Sequence, residues 1–239
     1  EVLKSKIKVS GSNFFTKTLV TVQFALSIAL IISTIIILQQ TKYMSSKNPG
    51  FSKENIVVGD ASDTKTKEIY PLFKQAMLAR SDVAGIASAE LGLGEGTGWS
   101  RSGFEYKGKH KDVFEYFIDA EYIPVMGMEL IAGRNFNHKI AGDTVTSIIV
   151  NEAMVKDFGW TVENAVGQEI RGYMESKTPV VIGVVKDFHY RPFKENVEPQ
   201  LFHQFADYAP FKIFVKIRPG NPAPALSAMQ KAWSGIVAD

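Results

Sequence analysis

The stretch FFTKTLVTVQFALSIALIISTIIILQQTK, residues 14–42, carries no charged residue between Lys17 and Lys42. As a helix rising about 1.5 Å per residue, the uncharged part is about 36 Å long, against about 30 Å for the hydrocarbon core of a bilayer. Its interior is Leu, Ile, Val and Phe. The few polar side chains, Gln23, Ser27, Ser33 and Thr34, are types that membrane helices place against partner helices. A core helix this apolar would need protein on every side. A cleavable export signal would have an apolar run of about 7–15 residues ending in a small-residue cleavage site. This run is longer, and QQTKYMSSKNPG follows it with no such site. The spacing therefore predicts a membrane helix over 14–42, preceded by a juxtamembrane segment, 1–13.

Orientation follows from the flanks. Lys4, Lys6, Lys8 and Lys17 precede the span, while Lys42, Lys47 and Lys53 follow it, a bias that puts the N-terminus in the cytoplasm. Residues after about Tyr43 are then extracytoplasmic. The sequence begins at Glu1 rather than a methionine and reads as a segment of a longer membrane protein. With 239 residues in all, enough sequence follows the span for one large or two small domains. The net charge of +2, with basic residues scattered, gives no electrostatic reason to expect nucleic acid. The absence of cysteine excludes disulfides, a thiolate nucleophile and cysteine zinc sites.

SSKNPGFSKEN (45–55) mixes Ser, Asn, Pro and Gly and reads as a short linker. NIVVGD is then a strand, 64–80 a helix with Ile69, Leu72, Phe73, Ala76 and Met77 mostly on one face, and 83–90 a second strand. Pro71 marks that helix's first turn or a kink. Near the end, PFKIFVKIRP (210–219) alternates apolar residues against Lys212, Lys216 and Arg218, the pattern of a half-buried strand. A helix over 221–237 follows, with a final strand expected beyond it. The two units form a split β-α-β sheet of the ferredoxin-like kind. Between them lie a hairpin in 104–122, a strand and short helix in 146–160 capped by Asn151, and strands in 178–188 and 199–205. The expected fold class is α+β: one membrane helix, a porter-type α/β part (51–95 and 206–239), and a β-rich insertion (96–205).

Candidate chemistry is sparse. LGLGEGTGW (91–99) strings together Gly92, Gly94, Gly96 and Gly98 before Trp99, yet matches neither phosphate-loop spacing, so a flexible surface loop that serves as a contact is expected. His110, His138, His189 and His203 have no metal-ligand spacing. Asp187 and His189 in KDFHY could suggest a hydrolytic pair, but no serine elbow accompanies them. Asp112 with Glu115, and Asp119 with Glu121, read as solvated strand faces. No catalytic, cofactor or metal residue is expected.

Several stretches together resemble the extracytoplasmic domain and preceding membrane helix of ABC transporter permeases of the MacB/FtsX/LolCE type. They are TLVTVQFALSIALIISTIIILQQ (18–40), YIPVMGMELIAGRNF (122–136), IIVNEAMVKDFGW (148–160) with AVGQEI (165–170), and VVIGVVKDFHYRPF (180–193) followed by PQLF. The wording of the span is most similar to the start of the second half of the duplicated permeases common in Bacteroidetes. The resemblance implies a porter-like part interrupted by a β-rich, sabre-like part, in the bacterial inner membrane. It also implies a non-catalytic segment that works with an ATP-binding subunit, the remaining permease helices, a second permease copy and the lipid bilayer. Mechanotransmission, in which ATP-driven helix movement reaches the periplasmic domain for efflux, lipoprotein export or signalling, is the implied mechanism. On the residues alone, a single-span sensor or binding domain without an ATPase is the alternative.

Overall fold

The structure, a computed structural model, describes residues 13–61, 66–93, 100–174, 176–191, 193, 195–204 and 211–238. The chain divides at Lys47/Asn48 into two units. The first is a continuous helix, α1 (Asn13–Ser46), which extends beyond the predicted end at residue 42. Its segment Phe14–Met44 has the length and composition of a bilayer span, and none of its most apolar window is buried inside the protein. A core helix is thereby set aside. Three hydroxyls fold back on the helix: Thr21 donates to the Lys17 carbonyl at 2.9 Å, Ser27 to Gln23 at 2.9 Å and Thr34 to Leu30 at 2.8 Å. That back-bonding lowers the cost of carrying them in lipid.

The second unit holds two sheets. β1 (Ile56–Asp60), α2 (Thr66–Leu78), β2 (Val83–Ala89), β9 (Lys212–Ile217) and α6 (Ala223–Ala238) form the first. Its strand order is β1-β9-β2, and β9 runs antiparallel to both neighbours. β1 and β2 are thus parallel with β9 inserted between them, the split β-α-β arrangement. Ile213, Val215 and Ile217 face Phe73, Met77 and Ala225 of the two helices. Phe214 faces the other way, into a core shared with the second sheet. β9 is therefore buried on both faces rather than one. Its predicted solvated lysines are engaged: Lys212 binds Asp60 at 2.5 Å, and Lys216 donates to the Val125 carbonyl at 3.1 Å. The outer edge of β1 has no partner strand among the described residues, and a cavity of ≈ 240 Å³ lined by Gly59, Phe73, Met229 and Trp233 lies beside it.

The second sheet has six strands: β3 (Ser100–Tyr106), β4 (Lys109–Phe117), β5 (Leu130–Gly133), β6 (Ser147–Asn151), β7 (Val180–Val185) and β8 (Gln200–His203). Their order is β3-β4-β8-β6-β7-β5, with mixed directions. The β3–β4 hairpin turns on Lys107 and Gly108, both at positive φ, which matches the twist of the strands it joins. β6 is buried at every residue, because one face meets the inter-sheet core and the other meets Met154, Val155 and Ala165 of α4 (Glu152–Asp157) and α5 (Val162–Ala165). Asn151 caps α4 as its side chain accepts from the Met154 amide at 3.0 Å. A short helix, α3 (Tyr122–Val125), lies between the sheets. Its Tyr122 ring meets Phe214 edge-on at 5.2 Å. Burial of such side chains contributes about 1.5–3 kcal/mol each, so this shared layer holds the two sheets together.

Candidate functional site

The chain leaving α1 does not remain a free linker. Gly50 adopts φ +89°, and a Cβ there would lie 2.8 Å from the Asp187 carbonyl oxygen and from Phe188 Cα. Only glycine fits both the backbone angle and the space. On either side of it the His189 amide donates to the Pro49 carbonyl at 2.6 Å, and the Ser52 amide donates to the Met126 carbonyl at 2.6 Å. Asn48 Oδ1 accepts from the Gly50 amide at 2.9 Å, and Phe51 packs on the inter-sheet core. Residues 48–52 are thus seated between the turn after β7 and the end of α3. The predicted linker over 45–55 is corrected here: α1 takes its first residues and the domain takes the next. The signal available in the sequence was Phe51, a large apolar residue directly behind an Asn-Pro-Gly turn.

Asp187 and His189 both belong to this seat. Asp187 Oδ1 accepts from the Ala153 amide at 2.9 Å in the first turn of α4, and its own amide donates to Glu152 Oε2 at 2.8 Å. Burial raises the Asp187 pKa. The His189 ring packs on Phe193 at 4.6 Å.

Asp119 and Glu115, one from each acidic pair, are not on the solvated faces expected from alternation. Asp119 is largely buried where β2 and β4 meet: its amide donates to the Ser88 carbonyl at 3.0 Å and its Oδ2 accepts from Tyr70 Oη at 2.5 Å. Lys74 Nζ reaches Asp119 at 3.4 Å and Glu121 at 2.7 Å. Burial pushes the Asp119 carboxyl up to about 6 despite Lys74 and Tyr70. Glu115 sits in a second cluster, accepting from Ser100 and Ser102 at 2.7 Å each and from Tyr173. Burial opposes its ionisation, but the hydroxyl donors prevail and hold its pKa below the usual range. His203 Nε2 lies 3.9 Å from Glu115 Oε2, and burial holds that imidazole down at about 4. The Asp119 cluster ties α2 of the three-stranded layer to the segment after β4, whereas the Glu115 cluster lies within the six-stranded sheet, joining β3, β4 and β8 to Tyr173. Tyr70, Lys74, Tyr173 and His203 are too distant in sequence for any local pattern to reveal them. Asp112 stays at the surface beside Arg101 and His110.

Of the predicted contact loop, Gly92 is buried, and Leu91 and Leu93 pack on the inter-sheet core, so the loop's start is anchored rather than a flexible surface segment. Gly94, Gly96, Gly98 and Trp99 lie outside the described residues. Along α1, at about 100° per residue, Gln23, Ser27 and Thr34 fall within about 40° of one another, whereas Ser33 lies about 80° from Gln23. Ser33 therefore lies at the flank of the predicted packing face. Among the described residues no group of three or more His, Cys, Asp or Glu could hold a metal.

The chain thus combines a helix of bilayer length with two sheets sharing a core, one split β-α-β and one mixed. The family described as the MacB-like periplasmic core domain matches residues 19–232, and the chain belongs to it. The periplasmic region of MacB from Actinobacillus actinomycetemcomitans shares its fold, with a TM-score of 0.54 and 16% identity over 78% of this chain and 86% of that one. The extracellular domain of the noncanonic ABC-type transporter YknZ from Gram-positive bacteria aligns with a TM-score of 0.48 and 14% identity over 72% of this chain and 88% of that one. A comparison with curated proteins finds no match. The chain is a MacB-like periplasmic core domain with a bilayer-length helix ahead of it, and it has the α+β fold its sequence suggested.

Proposed function

We propose that this segment couples ATP hydrolysis on a separate cytoplasmic subunit to movement of its extracytoplasmic domain, in the bacterial inner membrane. One observation carries the reading: α1 is helical through Ser46, and the domain begins at Asn48, so no long flexible linker intervenes to dissipate movement of the helix. The movement serves export of a peptide, drug or lipoprotein, or a signal to partners outside the membrane. The segment itself is non-catalytic and needs no cofactor. Gln23, Ser27 and Thr34 face other permease helices, of this copy or a second one, while Leu and Ile face lipid. Cysteine crosslinking along 18–41 reports this directly; a polar face accessible to lipid probes would sink the assignment.

The experiment that tests the function is purification of the full-length protein from native membranes. An ATP-binding subunit should co-purify, and a label on the domain should change its environment on nucleotide binding. A protein that carries no ATPase and ignores nucleotide is instead a single-span sensor.

A further inference from the structure

We propose that residues 48–52 are the element through which helix movement enters the domain, and that Gly50 is the residue on which their seating depends. The inference rests on the coupling reading above and specifies where the coupling occurs. Only Lys47 and Asn48 separate the end of α1 at Ser46 from the Pro49 carbonyl held by His189. Extended chain spans at most about 3.6 Å per residue, so a larger displacement of the helix end exhausts this slack and pulls on Pro49.

The seat divides that pull between the two sheets. His189 stands just beyond β7, in the six-stranded sheet, and the Asp187 carbonyl that crowds Gly50 belongs to a residue whose side chain caps α4. Met126, which receives the Ser52 amide, ends α3, and α3 packs on the three-stranded sheet through Tyr122 against Phe214 and through Val125 against Gly85. A single five-residue segment thus holds both layers. Displacing it loads the shared core as a whole rather than bending one loop. Both main anchors are backbone hydrogen bonds, which most substitutions leave intact. Sensitivity should therefore concentrate at Gly50, where any side chain meets main-chain atoms.

The test uses the full-length protein with its ATPase in nanodiscs. The chain has no cysteine, so labels at K17C and K156C, with any cysteine elsewhere in the full-length protein and its ATPase replaced, report the helix and the domain. In the parent protein their separation should shift with nucleotide. Gly50→Ala should cut that shift to less than half, with ATP hydrolysis retained and amide protection lost at Ser52 and His189. A second variant, Gly-Ser-Gly inserted between Lys47 and Asn48, leaves the seat intact and should reduce the shift likewise; it decides the matter if Gly50→Ala fails to fold. A shift of parental size in the insertion variant, or in a folded Gly50→Ala protein, overturns the proposal. A parent that shows no shift overturns the coupling reading itself, and the inference with it.

Discussion

Asp119 and His203 should give this domain two opposite pH dependences over nearly the same range. Asp119 has a folded pKa of about 6 against an ordinary 3.8. Between those values the folded protein keeps a proton that the unfolded chain has lost, so stability falls as pH rises. The Asp119 contribution is complete below about 3.8 and gone above about 6. His203 is shifted from 6.5 to about 4. There the unfolded chain holds the extra proton, and stability rises with pH. Each shift corresponds to at most about 3 kcal/mol, so the two slopes largely cancel in the wild type. Asp119→Asn should remove the falling component and leave stability rising by up to about 3 kcal/mol between roughly pH 4 and 6.5. His203→Gln should do the reverse, and the double variant should restore a nearly flat profile. Guanidinium unfolding of the detergent-solubilised protein, followed by the fluorescence of its three tryptophans, measures this directly. Subtracting the wild-type curve cancels the other carboxylates. If the Asp119→Asn curve differs from wild type only by a constant offset, the assignment of Asp119 as a buried acid that holds its proton is wrong.

Two further substitutions probe the six-stranded sheet. Gly133 has φ +71°, and a Cβ there would lie 2.2 Å from the Ile182 carbonyl oxygen. Gly133→Ala should cost about 3 kcal/mol or more from backbone angle and overpacking combined, read as a fall in thermal midpoint; a loss under about 1 kcal/mol would refute the close approach of β5 and β7. Asp143, whose side chain is fully buried, accepts both guanidinium nitrogens of Arg134 at 2.6 and 2.8 Å, the Ser147 hydroxyl at 2.8 Å and the Asn137 amide at 2.7 Å. Asp143→Asn should cost about 3 kcal/mol at neutral pH, the lower end for a broken buried pair because Arg134 is partly exposed. These donors outweigh the burial penalty and hold the Asp143 pKa low, so the wild-type contribution should persist above the ordinary carboxylate range and vanish as acid titrates the folded group. An acid profile unchanged by the substitution would remove Asp143 from that account.

The parts of the fold that sequence made legible are those set by local physics. An uncharged run longer than a bilayer is thick admits few readings, and α1 follows it. Period-2 and helical spacing placed β9, α2 and α6, and Asn151 announced the start of α4 by its capping chemistry. What stayed hidden depends on residues far apart in the chain. Lys212 and Lys216 made β9 look half-solvated, because nothing local says that Asp60 and the Val125 carbonyl will meet them. Asp119 and Glu115 alternate like surface residues until Tyr70, Lys74, Tyr173 and His203 close over them. The seat of 48–52 was hidden for another reason: its composition is that of a turn, and its anchors are main-chain atoms with no side-chain signature.

The unpaired edge of β1 bears on how the domain behaves when handled alone. Among the described residues no strand pairs with that edge; Val58 of β1 is about half exposed, and Gly59 of the same strand lines an apolar hollow. Such an edge templates strand addition. A soluble fragment ending where the described residues end should therefore self-associate in a concentration-dependent way, and its solubility should depend on whether another strand, from its own chain or elsewhere, is supplied to close that side.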